Sequence, residues 1–292
     1  MKITVKEALK WASFCLHEAG IDKSRAEAEL LLANILSLDR LRLLTTQEDF
    51  LADSDYSKYK NTVKRRANHE PLAYITGEKY FYGRPFVIRQ EVLIPRPETE
   101  LLVDLALRWA KKKADVEQSG LRILDLGTGS GVLAITLALE LPYAEVWAID
   151  IAPAALNLAG QNASRYNLGK RIIFLQGSYF DSLKSLQPQP RFNLIVSNPP
   201  YISQAELDKL PSSVAAFEPR AALDGGADGL DSYRAILKKL ANYTEPQAML
   251  MVEISSTQGQ AVTDLFTNSG LFRLIGSRQD LANHPRVILG LL

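Results

Sequence analysis

The chain has 292 residues, of which 47% are hydrophobic and 23% are charged. This composition provides ample apolar material for a core and excludes a chain that is mainly disordered. The 34 Lys and Arg residues nearly balance the 33 Asp and Glu residues, which argues against a polybasic protein that coats nucleic acid or binds membranes through charge. At roughly 150 residues per domain, the length favours about two domains.

The cysteine content and the N-terminal residues argue against several further classes of protein. The single cysteine, Cys15, cannot form an intrachain disulfide, and three scattered histidines do not suggest a metal site. Charges at Lys2, Lys6, Glu7 and Lys10 interrupt the N-terminus, so we expect no signal peptide. No stretch approaches the roughly 18 apolar residues that span a membrane. We therefore expect a soluble cytoplasmic protein without a metal.

Residues 1–75 predict a small helical bundle. A capping box at Thr4–Glu7 opens a first helix that Gly20 is suited to end, and a second capping box at Ser24–Glu27 opens the next. A third helix is predicted over about residues 55–68. Because such helices bury little surface alone, we interpret them as one packed domain.

Residues 76–96 predict a β-hairpin that links this bundle to the rest of the chain. Strand-like runs at Tyr80–Tyr82 and Pro85–Ile88 flank a turn at Gly83–Arg84.

A helix is predicted next, because Pro97 suits a first helical turn and Glu98 and Glu100 suit its positive end. Two interpretations stay open: the acids only cap the helix, or Arg96 positions a lid or touches a substrate. A loop is expected at Gln118–Gly120.

Strands and helices then alternate, which predicts an α/β domain over residues 97–292 with a doubly wound, mostly parallel sheet. The last two strands are expected to form an antiparallel end. Seven strands are predicted, at 121–126, 145–150, 171–175, 192–197, 247–254, 271–278 and 286–291.

A glycine-rich turn follows the first strand of this domain, in the sequence Asp-Leu-Gly-Thr-Gly-Ser-Gly over 125–131. Glycines permit a tight turn and let a ligand approach backbone N–H groups at the start of a helix. Asp150 ends the next strand at a distance typical of an acid that binds ribose hydroxyls, although it is also placed to cap the following helix. The spacing G-x-G-x-G leans away from a dinucleotide pattern.

The segment Ser197–Tyr201 reads Ser-Asn-Pro-Pro-Tyr and closes the fourth strand, at the edge where α/β sheets bind ligands. Two prolines hold the backbone extended and remove two donors. The Asn198 carboxamide oxygen and a nearby carbonyl are then placed to accept hydrogen bonds from one planar NH₂ group, and Tyr201 offers an aromatic wall. A rigid turn without a ligand is the simpler alternative.

These two motifs together resemble S-adenosylmethionine-dependent methyltransferases that act on planar amide or amino nitrogens. Val92–Glu100, Val-Leu-Ile-Pro-Arg-Pro-Glu-Thr-Glu, resembles the signature of the peptide-chain release factor glutamine methyltransferases, the PrmC/HemK family. The hairpin at Phe81–Phe86, the segment Asp228–Leu230 and the stretch Asp280–Ala282 resemble that family too. The similarity is strong over about 70–292, whereas the N-terminal helices match by layout and length.

The resemblance implies a Rossmann-like methyltransferase sheet of seven strands and a reaction. The methyl group of S-adenosylmethionine would pass to the amide nitrogen (N5) of the glutamine in the Gly-Gly-Gln motif of class I release factors. It also implies that residues 1–75 help to dock that protein. We expect a monomer that forms no stable nucleic-acid complex.

The resemblance also assigns roles to individual residues. Asn198, Pro199, Pro200 and Tyr201 would hold the glutamine amide, with Asn198, Pro199 and Tyr201 catalytic. Ser178 stands where an acid often precedes the adenine-side aromatic, and Glu253-Ile-Ser-Ser replaces a common Glu-Ile-Gly. The implied cofactor-binding residues are Gly127, Thr128, Gly129, Ser130, Gly131, Asp150, Tyr179 and Asn198.

Two other classes are weighed against this hypothesis. A nucleic-acid adenine methylase would use the same clamp, but the charge of +1 and the lack of an obvious target-recognition domain argue against it. A non-catalytic binding module on the ribosome or release factor would show a degraded glycine turn or clamp, and both are intact.

Overall fold

The computed structural model describes residues 2–117 and 120–292. Gln118 and Ser119, which we expect in a loop, lie outside the described residues. The chain divides into two compact units, the first comprising Met1–Glu78 with Pro211–Phe217 and the second Lys79–Leu210 with Glu218–Leu292.

Helices and strands are numbered here in chain order. The helices are α1 Val5–Glu18, α2 Ser24–Leu36, α3 Arg40–Thr45, α4 Asp53–Ala67, α5 Leu72–Thr76, α6 Thr99–Glu117, α7 Val132–Glu140, α8 Pro153–Arg165, α9 Gln204–Leu207, α10 Ser212–Ala215, α11 Asp231–Lys239 and α12 Gly259–Ser269. The strands are β1 Glu78–Phe81, β2 Arg84–Val87, β3 Arg122–Leu126, β4 Glu145–Asp150, β5 Ile172–Gln176, β6 Phe192–Ser197, β7 Thr244–Glu253, β8 Leu274–Gln279 and β9 Pro285–Leu291.

The first unit is helical, with α1–α5 packed around one apolar cluster. The predicted capping box of α1 is present, since Thr4 Oγ1 accepts from Glu7 N at 3.3 Å and Glu7 Oε2 accepts from Thr4 N at 2.9 Å. Leu9, Leu32 and Tyr59 are fully buried in the cluster, and the Tyr59 hydroxyl donates to the Ala28 carbonyl.

The second predicted capping box is wrong. Helix α2 does begin at Ser24, but its N-cap is Lys23, which makes no side-chain capping bond. Glu27 instead accepts from Arg66 Nε on α4 at 2.5 Å, because a charged partner outcompetes a local backbone donor. The short helices α3 and α5 were not predicted, since neither is long enough to show a helical period.

The predicted hairpin is formed by β1 and β2. Its two turn residues, Tyr82 and Gly83, both have positive φ angles of 50° and 73°. This backbone is that of a tight hairpin turn whose twist matches the strands, and glycine adopts it without strain. The adjoining helix α6 begins at Thr99, two residues after the expected Pro97, and Glu100 Oε1 accepts from Tyr82 N at 2.8 Å rather than capping the helix.

The second unit contains a seven-stranded sheet in the order β5-β4-β3-β6-β7-β9-β8. Strands β3 to β7 pair in parallel, and β9 pairs antiparallel with both β7 and β8. The predicted doubly wound, mostly parallel fold with an antiparallel end is therefore confirmed. Strand order reverses between β3 and β6, which places a ligand crevice at their carboxyl ends.

Register aligns the strand ends that carry the candidate motifs. Leu126 of β3 lies opposite Ile149 of β4 on one side and Ser197 of β6 on the other. The buried Ser197 hydroxyl donates to the Leu126 carbonyl at 2.7 Å, which fixes Asn198 beside the glycine-rich turn. Within the described ranges, no helix combines the length and apolar character needed to cross a membrane.

Candidate active site

A cavity of about 550 Å³ opens at the carboxyl ends of β3, β4 and β6. Most of the sequence-predicted site residues line it. These are Gly127, Thr128, Gly129, Ser130, Asp150, Tyr179, Asn198 and Pro200. Gly131, Pro199 and Tyr201 lie outside the lining.

The glycine-rich turn is held by a buried acid and by close helix packing. Thr128 Oγ1 donates to Asp125 Oδ2 at 2.6 Å, and burial raises the Asp125 pKa to about 7. Gly131 has a φ of 83°, and a Cβ there would lie 2.9 Å from Ile135 Cδ1 and 3.1 Å from Ala159 Cβ. Only glycine therefore allows α7 to start so close to α8.

Asp150 connects the turn to the start of α8. Its Oδ2 accepts from Gly129 N at 2.8 Å and its Oδ1 from Ala152 N at 2.9 Å. Burial raises the Asp150 pKa above its ordinary value, and these backbone hydrogen bonds only partly offset the rise. Ala152, not Asp150, is the N-cap of α8. Each carboxylate oxygen keeps a further lone pair for a ligand hydroxyl.

The next residue, Ile151, was missed by sequence reasoning. It lines the cavity and is 63% exposed, so it offers an apolar wall beside Asp150. An apolar residue directly after a strand-ending acid was its only sequence signal.

Tyr179 lines the cavity from the segment after β5, with a left-handed φ of 50°. Such a backbone costs a non-glycine residue about 1–3 kcal/mol and is concentrated at functional sites. Burial raises the Tyr179 pKa, and a hydrogen bond with Ser232 lowers it. Ser178, where an acid was expected from the resemblance, also lines the cavity.

The Asn198–Tyr201 segment presents two open acceptors. Asn198 Nδ2 donates to Thr99 Oγ1 at 3.1 Å, and its Oδ1 has no hydrogen bond to any described residue. The Pro200 carbonyl accepts from Ser232 Oγ at 2.8 Å, and the Tyr201 carbonyl accepts from Gln258 Nε2 at 2.8 Å. Among the described residues the Pro199 carbonyl has no such donor.

Thr99, which lines the cavity, and Glu253, which ends β7, are both buried and were not predicted as site residues. Burial raises the Glu253 pKa to about 7, while the nearby Thr99 hydroxyl, acting as a hydrogen-bond donor, lowers it. Thr99 was visible only as part of the Val92–Glu100 motif, and Glu253 only as the last residue of a predicted strand.

One wall of the cavity is fixed by an ion pair. Arg96 Nη2 lies 2.6 Å from Glu218 Oε1, and Ile94 N donates to Glu218 Oε2 at 3.2 Å. Near Arg96, the residues that line this wall are Val92, Leu93 and Pro95. Near Glu218, they are Pro219, Ala221, Ala222 and Asp224. This pairing favours a wall-forming role for Arg96. Glu218 had no sequence signal.

Chemically, the cavity combines a backbone turn, an acid, apolar walls and the Asn198 carboxamide, whose Oδ1 has no hydrogen bond to a described residue. Among the side chains that the structure describes, no group of three or more His, Cys, Asp or Glu residues could hold a metal ion. The arrangement suits binding of a nucleoside-like group next to a planar NH₂ donor.

Comparisons with known proteins define first the class and then the family. Residues 117–270 match the model of a methyltransferase domain, and residues 7–77 match the model of the PrmC N-terminal domain. The fold is also that of the N-terminal domain of human METTL16 in complex with SAH, with a TM-score of 0.51, 15% identity and 82% of each chain covered.

The chain is 42% identical to the release factor glutamine methyltransferase of Geobacter sulfurreducens, over 91% of this chain and 89% of that one. It is 41% identical to the protein of the same name from Moorella thermoacetica, over 98% of both. This chain therefore belongs to the release factor glutamine methyltransferase family, which confirms the family predicted from Val92–Glu100 and Asn198–Tyr201.

Proposed function

We propose that this chain transfers the methyl group of S-adenosylmethionine to the side-chain amide nitrogen (N5) of the glutamine in the Gly-Gly-Gln motif of class I release factors. Membership of the family supports the reaction class. The observation that carries the proposal is Asn198 in the lining of a nucleoside-sized cavity, with an Oδ1 that has no hydrogen bond to a described residue. The Pro199 carbonyl, which follows it in the chain, has no described donor either.

The cofactor side of the proposal rests on the cavity lining. Gly127–Ser130 offer backbone and hydroxyl groups, Asp150 accepts the two ribose hydroxyls, and Ile151 and Tyr179 flank the adenine. Gly131 contributes indirectly, because it lets the turn form. The cofactor supplies an electrophilic methyl group on a positively charged sulfur.

The glutamine side uses the two acceptors. An amide nitrogen is a poor nucleophile because its lone pair is delocalised into the carbonyl. Asn198 Oδ1 and the Pro199 carbonyl each accept one N–H of the substrate amide, which holds the nitrogen in line with the methyl group. Positioning of this kind is worth roughly 7–11 kcal/mol.

The same acceptors act on the transition state. As the N–C bond forms and the S–C bond breaks, the nitrogen gains positive charge and its N–H groups become stronger donors. The acceptors therefore bind the transition state more tightly than the ground state. The surplus proton leaves the nitrogen for water after transfer. Pro200 and Tyr201 keep the acceptors in place, because their own carbonyls are held by Ser232 and Gln258.

Residues 1–75 are proposed to dock the release factor, residues 76–96 to link, and residues 97–292 to carry the reaction. The first unit exposes large apolar side chains at Phe14, Leu41 and Phe50. A docked protein that covered these side chains would remove their apolar surface from water, which favours binding.

The direct test is incubation of the purified chain with S-adenosylmethionine and a class I release factor, followed by tandem mass spectrometry. We expect one added methyl group on the Gly-Gly-Gln glutamine and none on a release factor with that glutamine replaced by alanine. Methylated adenine in DNA or tRNA, with an unmodified release factor, would contradict the proposal.

A further inference from the structure

Glu253 is the last residue of β7 and follows Val252, which lies opposite Ser197 at the end of β6. It is therefore close to the candidate clamp, the segment Asn198–Tyr201. It is 1% exposed, and among the described residues its Oε2 has no hydrogen-bond partner. Thr99 Oγ1 accepts from Asn198 Nδ2 at 3.1 Å. The Thr99 hydroxyl also lies close enough to the Glu253 carboxylate to lower the Glu253 pKa as a hydrogen-bond donor. Thr99 therefore stands between a buried acid and the amide that lines the cavity.

The chemistry of Asn198, Thr99 and Glu253 fixes which atom donates and which accepts in each hydrogen bond between them. A threonine hydroxyl has one proton to donate, and an ionised carboxylate only accepts. If Thr99 donates to Glu253, its oxygen accepts only from the Asn198 nitrogen, so Asn198 Oδ1 points to the cavity. The opposite amide orientation would take the Thr99 proton and leave a buried carboxylate with no donor, which costs several kcal/mol.

We propose that Glu253 and Thr99 are positioning residues for methyl transfer, which orient the Asn198 amide and polarise it so that Oδ1 becomes a stronger acceptor for the substrate nitrogen. This inference rests on the proposed function. Hydrogen bonds in a chain polarise one another, and a negative charge at one end increases the electron density at the other. The increase matters most when the substrate nitrogen is becoming positive.

The charged and titratable groups around Glu253 come from several elements. Arg286 on β9 and Arg96 before α6 lower the Glu253 pKa, and Glu98 raises it. The phenols of Tyr201 and Tyr233 also face it, and their own pKa values are raised above the ordinary value. Arg286 is itself engaged by Asp280, with Nη2 3.1 Å from Oδ2. Because burial is the largest influence, the Glu253 pKa is about 7, and the carboxyl changes its charge as the pH passes that value.

The test is single-turnover methyl transfer at saturating cofactor and release factor. We expect Thr99→Val and Glu253→Gln each to slow transfer by about 10- to 100-fold, the size of losing a hydrogen bond to a charged group. Cofactor and release factor affinities should change by less than about threefold, and Thr99→Ser should restore most of the rate.

The pH profile separates polarisation from mere support. The wild-type rate should rise as pH passes the Glu253 pKa of about 7, because the ionised acid is the active form. Glu253→Gln should lack this rise. Thr136→Val is a matched control, since Thr136 is a fully buried threonine whose Oγ1 has no partner among the described residues, and its rate should equal wild type.

Failure of this inference and of the proposed function give different results. Wild-type transfer with unchanged rates in Thr99→Val and Glu253→Gln, or a pH rise that persists in Glu253→Gln, would overturn the inference alone. No release factor methylation by the wild-type chain would overturn both. If Glu253→Gln does not fold, the Thr99 variants and the wild-type pH profile still decide.

Discussion

One buried carboxylate in the first unit and two beside the cavity of the second have opposite surroundings. In the first unit, Glu29 is 4% exposed and accepts from Arg25 Nε at 2.7 Å and Arg40 Nε at 2.8 Å. Beside the cavity of the second unit, Asp125 and Glu253 are as deeply buried, and no described residue forms an ion pair with either. The same residue type is thus neutralised in one place and left unpaired in the other.

The pKa directions follow from this difference. Burial alone would raise the Glu29 pKa, but the hydrogen bonds from Arg25 and Arg40 outweigh it and the pKa is lowered. Burial dominates at Asp125 and Glu253, whose pKa values are raised to about 7. A paired acid adds stability, whereas an unpaired buried acid costs stability and is retained where function needs it.

The largest expected effect is a slower methyl transfer, caused by a substitution in the cavity of the second unit. Asn198→Ala removes one of the two open acceptors, and by analogy with loss of one oxyanion-hole donor we expect about 10²–10³ slower single-turnover transfer. Release factor binding should change little, because docking uses a broad surface. Asn193→Ala, at the other end of β6, is the control and should transfer methyl at the wild-type rate. An unchanged rate in Asn198→Ala would refute the clamp.

Asp150 is the intermediate case, a carboxylate satisfied by backbone N–H groups. Asp150→Ala would lose charge-assisted bonds to the ribose worth about 1.5–3 kcal/mol each. We therefore expect cofactor affinity, measured by calorimetry, to fall by roughly ten- to a thousandfold. Equal affinity in a folded variant would mean that Asp150 serves only to join Gly129 to the start of α8.

Glu29→Ala removes the buried, ion-paired carboxylate of the first unit. It leaves two arginines without their shared acid, and because these arginines are half-exposed we expect a loss of about 2–3 kcal/mol in unfolding free energy. Methyl transfer by the folded variant should be unchanged at saturating release factor. Because the folded pKa of Glu29 lies below its ordinary value, the loss should be full above pH 4.5 and fade as pH falls further.

The control for Glu29→Ala is Glu48→Gln, which removes the exposed pair between Glu48 and Lys6. We expect no measurable change in the unfolding free energy, since exposed ion pairs contribute little. Equal stability of Glu29→Ala and wild type at neutral pH would show that the buried pairing is not a source of stability.

The smallest expected effect has the opposite sign. The folded pKa of Glu253, about 7, lies above its ordinary value of 4.5, so the wild-type chain loses stability as pH rises between those values. Glu253→Gln escapes this loss, which the rise from 4.5 to about 7 puts at about 3 kcal/mol. Because the variant buries an amide where one oxygen has no partner, urea unfolding should find it only about 1–2 kcal/mol more stable at pH 8. The two proteins should converge below pH 4.5. Lower stability of Glu253→Gln at pH 8 would identify Glu253 as a structural residue.

Local sequence signals predicted the sheet well. Strands β4 and β6 have the bounds expected from their apolar runs, because a proline lies within three residues of each end of both strands. Helices α3 and α5 were missed because six and five residues show no period. The capping box at Ser24 failed because its acid pairs with Arg66 on another helix.

Some residues of the candidate site could be predicted from the sequence, and others could not. The cavity-lining glycine turn, Asp150 and Asn198 each lie in a compact motif at a strand end, so their pattern is visible in the sequence. Thr99 and Glu253 act on Asn198 from α6 and β7, and Glu218 reaches Arg96 across 122 residues. No local pattern records such pairings, and only the fold brings these side chains together.

The most direct test of the central claim is a crystal structure of the chain with demethylated cofactor and a Gly-Gly-Gln peptide. We expect Asn198 Oδ1 and the Pro199 carbonyl oxygen each to lie about 2.7–3.2 Å from the glutamine amide nitrogen, with Thr99 Oγ1 at a similar distance from Asn198 Nδ2. A glutamine whose carbonyl oxygen faces Asn198, or an Asn198 amide with its nitrogen turned to the cavity, would contradict the account.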